Sequence, residues 1–350
     1  MAEFDPAPNE VVNITLGATQ MQFFAVPNPA AVFLTHAIEG RKAVIFQLRL
    51  QNGKGDFALK VMKPAHRLPA LVPTCDQLAR LRYLQGMQVC ERYCLTQSAT
   101  PAVIKLWPDL EFSILMPWIK GSTWSAVLGL DRNGPPPISD RYAATRLATS
   151  LVEILDGLER KGLAHCDLSA QNVIVDAKSS SEQLIDVEDL FGPGFTPPSQ
   201  MASGSPGYQH HTSGQGQWSA EADRFAGAIL ISEMLTAHDA AVRAVSSEES
   251  YFDPGELQEL DSRRFQILVR SLAVLDSRLP ELLTRAWQSQ SLSECPRISE
   301  WKSILLSMDD GIPRTPFTFE SEREVSFVPF EMEGSETPKL TWREWGEEQN

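Results

Sequence analysis

The sequence predicts an α+β protein in two lobes, with antiparallel strands first and helices after. Three observations carry this reading. From Ala31 to Met62 three apolar runs, AVFLTHAIE, AVIFQLRL and FALKVM, are separated by Gly40 and by QNGKGD, in which Asn52-Gly53 is a hairpin-turn pair. Beyond Gly121 the apolar spacing lengthens to three or four residues, as in Leu147, Leu151, Leu155 and Leu158, which is the repeat of an amphipathic helix. The 350 residues are 43% hydrophobic, enough for one two-lobed body or two domains, and this excludes disorder as the dominant state.

Taken in order, residues 1–30 hold VVNITL and MQFFAV, which have strand character but no evident partner, and form an N-terminal extension. The strand-rich lobe is expected over 31–119. It contains the meander, a helix between Thr74 and Met87 on the spacing Leu78, Leu81, Leu84, and a strand in PDLEFSILMPW before the Gly121 break. The helical lobe is expected over 120–308. Ser139 caps a long helix that Gly162 ends, NVIV and QLIDV read as a hairpin, and residues 190–217 are rich in Gly, Pro, Ser and Gln without periodicity. Helices are expected at 219–236, 254–274 and 278–308. The last segment, 309–350, carries 11 acidic against 4 basic residues, interleaved with Phe317, Phe319, Phe327, Phe330, Trp342 and Trp345. Such rings favour docking of the tail on a surface, and a regulatory protein partner is one occupant it could serve.

Composition narrows the function. Thirty-one Lys and Arg against 45 Asp and Glu give −14, a field that opposes nucleic acid phosphates and anionic membrane surfaces. No apolar run reaches the ~20 residues of a bilayer span, and the acidic opening MAEFDPAPNE lacks the basic start of a secretory signal. The five cysteines, at 75, 90, 94, 166 and 295, show no paired framework for zinc or disulfides. A cytoplasmic location is the simplest expectation.

The chemistry concentrates in GLAHCDLSAQNVIVD. Asp167 and Asn172 lie five apart between a helix end and a strand, with His165 two residues upstream, in the pattern H-x-D-L-x-x-x-N. Phosphoryl transfer needs a carboxylate that orients an attacking hydroxyl and accepts its proton, and an amide oxygen beside it for a divalent ion. Asp186, fourteen residues beyond Asn172 in LIDVEDL, supplies a second metal-binding carboxylate. In these residues the chain resembles the protein kinase superfamily. FALK, residues 57–60, resembles that family's V-A-I-K strand, which implies that Lys60 grips the phosphates and is catalytic together with Asp167. IEGRKA, from Ile38 through Gly40, Arg41 and Lys42, falls where the glycine loop would cover the phosphates. ILMPWIKG resembles the strand-to-hinge passage, with Met116 as gatekeeper and the Pro117 carbonyl and Ile119 N–H reading adenine. Ile45, Ala58 and Ile174 would sandwich the ring. GSPGYQHH (204–211) resembles the end of the activation segment, the helix of ADRFAGAILISEMLT supplies Asp223 to the catalytic-loop backbone, and ECPRISEW carries Arg297.

The resemblance implies a bilobal kinase fold and transfer of the ATP γ-phosphate, with Mg2+ held by Asn172 and Asp186, to a Ser or Thr hydroxyl of a protein substrate. Several positions depart from the family. Cys166 stands where an Arg precedes the catalytic Asp, so phosphate on the activation segment has no cation there. Ser169 replaces a Lys, and the D-F-G triplet is Asp186-Val187-Glu188, with Glu188 either a further metal ligand, a residue supporting the ligands from behind, or a solvated turn residue. No Glu lies between Pro64 and Gln88 to pair with Lys60; Asp76 reads as an N-terminal helix acid, and Glu91 falls in the next strand. The adjacent His210 and His211 are expected to point to opposite faces. These losses leave two alternatives: a nucleotide-binding pseudokinase scaffold, and a small-molecule kinase of the aminoglycoside or choline type.

Overall fold

The computed structural model describes residues 4–17, 19–53, 55–129, 138, 140–176, 181–198, 201–246 and 250–308. The architecture is mixed α+β, with the sheet antiparallel in every pairing given residue by residue. The aromatic tail 309–350 and the expected cap Ser139 lie outside the described residues. In chain order the elements are β1 (Val11–Leu16), β2 (Thr19–Ala25), β3 (Pro27–Asn28), β4 (Ala31–Thr35), β5 (Ala37–Glu39), β6 (Ala43–Leu50), β7 (Asp56–Met62), α1 (Leu71–Ala79), β8 (Tyr93–Cys94), α2 (Pro101–Leu106) and β9 (Ile114–Pro117). They continue as β10 (Ser122–Thr123), α3 (Trp124–Gly129), α4 (Arg141–Glu159), β11 (Val173–Asp176), β12 (Ser181–Leu184), α5 (Asp223–Thr236), α6 (Ala240–Arg243), α7 (Arg263–Leu275), α8 (Leu279–Gln288) and α9 (Ile298–Met308). Two compact units emerge: the described residues up to Pro69 with Cys94–Leu115, and Ala70–Tyr93 with the described residues from Met116 onward.

The first unit is built on a sheet in the order β1-β2-β6-β7-β9-β8, with β5 added beside β6. Alternation along β6 and β7 sends Phe46, Leu48, Leu50, Leu59 and Val61 into one core. Residues 11–25, without an evident partner in the sequence, are two full strands of this sheet. Val12, Ile14, Met21 and Phe23 enter the same core, and Phe4 packs edge-on against Phe46 and Trp107. The extension is therefore structural: β1 pairs with β2, and β2 pairs in turn with β6, which satisfies its backbone. The predicted strand over 108–118 is reduced to β9: Pro108 opens a 3-10 turn, and Phe112 adopts φ 63° before the ladder begins.

The second unit packs α4, α5 and α9 together, and α5 is buried on nearly every side. A helix apolar all round must lie inside. Trp287 stacks on Phe265 and meets Phe252, closing the core near α7 and α8. Four helix expectations shift. Asp140, not Ser139, caps α4 through Tyr142 N at 3.0 Å. The helix expected over 74–87 ends at Ala79, and Leu81 and Leu84 continue in i→i+3 turns (Leu81 N to Leu78 O, Leu84 N to Leu81 O). A spacing of three is also the 3-10 repeat, so the leucine pattern fits both. The run 254–274 becomes helical only at Arg263, capped by Ser262, and 278–308 splits into α8 and α9 around Pro296. Among the described residues no helix is long and apolar enough to cross a membrane.

Candidate functional site

On the first unit, strand alternation places four predicted residues on the face of the sheet away from the core. Ile38 is the cross-strand partner of Ile45, and Ile45 of Lys60, while Ala58, two residues from Lys60, pairs with Gln47. Directly opposed residues of an antiparallel pair share a face, so Ile38, Ile45 and Lys60 form a row. Lys60 is buried and Ile38 is half exposed. Gly40, Arg41 and Lys42 make the turn between β5 and β6, closed by Gly40 N donating to Ala43 O at 2.8 Å. A Cβ added at Gly40 would meet Ala43 O at an ordinary 3.5 Å, so the turn does not require glycine there.

On the second unit, Met116 and Pro117 end β9, and the chain passes through Ile119 to Gly121, which has φ 122°. A Cβ at Gly121 would fall 2.4 Å from Val175 O and 3.0 Å from Ile174 Cγ2. Only glycine lets this segment lie against β11, where Ile174 is buried.

The loop between α4 and β11 holds Asp167. Asp223, at the start of α5, accepts from His165 N at 2.6 Å and Cys166 N at 2.9 Å. Those bonds hold Cys166 at φ 67°, a conformation a non-glycine residue occupies only when its surroundings impose it. The thiol is buried beside Ala164, Ala222, Phe191 and Trp218, and burial pushes its pKa up, so it is a neutral thiol. His165 joins two backbone segments. Its Nδ1 accepts from Asp167 N at 3.3 Å, and its Nε2 donates to Ile185 O at 2.8 Å, next to Asp186. Since a carbonyl oxygen only accepts, this fixes the tautomer. Asn172 Nδ2 donates to Asp167 O at 2.7 Å, and Asn172 O accepts from Ile185 N at 3.0 Å.

Asp167 is partly buried, and burial raises its carboxyl above the ordinary range, against the opposing pull of His165 and a hydrogen bond from Ser205. Ser205 Oγ donates to Asp167 Oδ1 at 3.0 Å. Ser205 belongs to GSPGY, whose Tyr208 donates to the buried Glu233 at 3.0 Å; Trp124 Nε1 and Tyr251 N donate to the same carboxylate. Burial pushes Glu233 up to about 7. Asp186 is exposed in the left-handed conformation, φ 63° and ψ 44°.

Several sequence readings change here. Glu188 is not a solvated turn residue: it pairs with Arg92 Nη1 at 2.7 Å, and the Arg92 side chain is 0% exposed. Asp76 sits in the middle of α1 rather than in its first turn, and Glu91 precedes β8. His210 and His211 do not point to opposite faces; a 3-10 turn beginning at His211 brings their rings to 4.2 Å. His210 is buried against Ser289, while His211 bonds Gln258, so both are committed to structure. Arg224 pairs with Glu159 of α4 at 2.6 Å. Arg92 is not singled out by the sequence, and Ser205 only as a hydroxyl of GSPGYQHH. The one available signal is a charged pair, Glu91-Arg92, flanked by apolar residues in VCERYC.

Magnesium takes oxygen ligands, keeps several waters and is shared with substrate phosphates. The Asn172 amide nitrogen is already engaged, leaving its oxygen as the ligand atom, and the exposed Asp186 carboxylate is of the same hard type, so the donor set fits. Among the described residues no three His, Cys, Asp or Glu side chains converge as a self-sufficient metal cage. Compared with known proteins, the chain matches no protein-family model and no curated protein sequence.

Proposed function

We propose that this chain is an ATP-dependent phosphotransferase with a bilobal kinase-like fold, acting on Ser or Thr hydroxyls of a protein. The observation that carries the reading is the His165 ring, which ties the backbone of Asp167 to the segment of Asp186 while Asn172 bonds Asp167 directly. A base and two metal-binding oxygens are thereby set by one small network, which is what an in-line transfer needs from protein.

In this mechanism Asp167 accepts the proton of the substrate hydroxyl as its oxygen attacks the γ-phosphorus, and ADP departs. The raised proton affinity of Asp167 suits it to that step. Asn172 and Asp186 would hold Mg2+, which when bound neutralises charge on the transferring phosphate. The Lys60 assignment rests on FALK, and the preference for a protein acceptor rests on GSPGYQHH and Asp223. Nucleotide binding without transfer is the second reading, favoured by the Ser205 hydroxyl that already bonds Asp167.

The deciding experiment compares the parent protein with Asp167→Asn. Magnesium-ATP should raise the thermal midpoint of both by mass action, and only the parent should move labelled phosphate from ATP to a protein acceptor. No midpoint shift at millimolar nucleotide removes both readings. A shift with no transfer by the parent leaves the binding module.

A further inference from the structure

The run from Leu184 to Leu190 is anchored on both sides of Asp186. Before it, Leu184 is buried, and Ile185 is bonded through its N–H to Asn172 and through its carbonyl to His165. After it, Val187 and Leu190 are buried and Glu188 is tied to Arg92. Arg92 itself is held three ways: Nε donates to Val89 O at 3.0 Å, Nη1 to Glu188 Oε1 at 2.7 Å, and Nη2 approaches Met116 Sδ at 3.7 Å. A guanidinium stays charged at any accessible pH, so a fully buried one requires its carboxylate. The side chain of Glu188 is 14% exposed, and it is the acid that meets this need.

The family resemblance places a flexible glycine where this chain has Glu188. A glycine lets the segment after the metal-binding Asp rearrange, whereas separating Glu188 from Arg92 would strand a charge in the core. Asp186 therefore stands on a turn anchored on both sides. We infer that Arg92 and Glu188 are positioning residues for the metal-holding carboxylate of Asp186, fixing it ready for a divalent cation instead of leaving it to a conformational switch. The inference rests on the phosphotransferase reading of the same site. Arg92 acts through Glu188 and the turn, without touching metal or substrate, in the manner of groups that orient a ligand from behind and whose loss typically weakens metal affinity by about 10–100-fold.

The test uses the full chain and the double variant Arg92→Met/Glu188→Met, which replaces the pair with apolar side chains of similar length and leaves no stranded charge. ATP affinity is measured by calorimetry in EDTA and then across a Mg2+ titration, with urea unfolding recorded alongside. The expected result is unchanged metal-free ATP affinity, near-parental stability, and a half-saturating Mg2+ concentration raised about tenfold or more. A folded double variant with the parental Mg2+ requirement overturns the inference and leaves the pair a packing device. If the double variant does not fold, Glu188→Gln serves instead, since it keeps the shape of the side chain while removing the charge that ties it to Arg92. A raised Mg2+ requirement supports the inference, and an unchanged one overturns it. A parent protein with no Mg2+ dependence removes the phosphotransferase reading together with this inference, whereas Mg2+ dependence that the variants do not alter removes the inference alone.

Discussion

Replacing Asp223 offers the sharpest test of how the Asp167 loop is held. Its two carboxylate oxygens accept from His165 N and Cys166 N, and the residue is buried. Asp223→Ala strands two buried N–H groups at about 1–3 kcal/mol each, for a total of ~2–6 kcal/mol. The strained Cys166 backbone, at φ 67°, stores about 1–3 kcal/mol and can recover part of that by relaxing, so the expected loss is ~3 kcal/mol. Relaxation is what carries the functional consequence, because it moves Asp167, the next residue. Asp223→Asn keeps one acceptor and turns an amide N–H toward the second donor, so ~2–3 kcal/mol should be lost. Urea unfolding followed by tryptophan fluorescence reads this unit well, since Trp124, Trp287 and Trp301 are all buried within it. With an m-value of ~3 kcal/mol/M, the midpoint of Asp223→Ala should fall by about 1 M at constant slope. Transfer activity should fall further than the population of folded protein. An alanine variant within ~0.5 kcal/mol of the parent would refute the clamp and its role in placing Asp167.

Four further outcomes are expected. Burial pushes Glu182 up to about 8 against an ordinary 4.5, so the folded chain keeps a proton that the unfolded chain releases, and stability declines as pH rises from 4.5 to 8. At ~1.36 kcal/mol per pH unit the decline approaches about 5 kcal/mol; Glu182→Gln should gain on the parent in urea titrations at pH 8.5 relative to pH 5, and a pH-independent gap contradicts the reasoning. Arg92→Met alone should cost ~3–5 kcal/mol, and the double variant with Glu188→Met should recover most of it; equal losses would deny the pair. Gly121→Ala should lower the thermal midpoint by several degrees, because the new Cβ meets Val175 O at 2.4 Å in a left-handed backbone, and an unchanged midpoint would show that the close approach is not needed. Transfer activity should survive phosphatase treatment, since the neutral Cys166 thiol offers no charge-assisted bond to a phosphate; a large loss would contradict this.

The local pattern in the sequence carried the mixed α+β class, the β6–β7 and β11–β12 hairpins, and the short spacing that sets Asn172 beside Asp167. Those features depend on period and short spacing, which a chain expresses through its own neighbours. Helix limits were less legible where leucines three apart fit both an α-helix and 3-10 turns, or where Pro296 interrupts one apolar rhythm. Only the tertiary structure assigned β1 and β2 to the sheet, because their pairing joins Ala25 to Leu48 across more than twenty residues. It alone set Arg92 against Glu188, 96 residues apart, and Ser205 against Asp167, 38 residues apart. A charge says that it needs a partner when buried, but neither burial nor partner is written in its neighbourhood; both follow from which distant segments the folded core brings together.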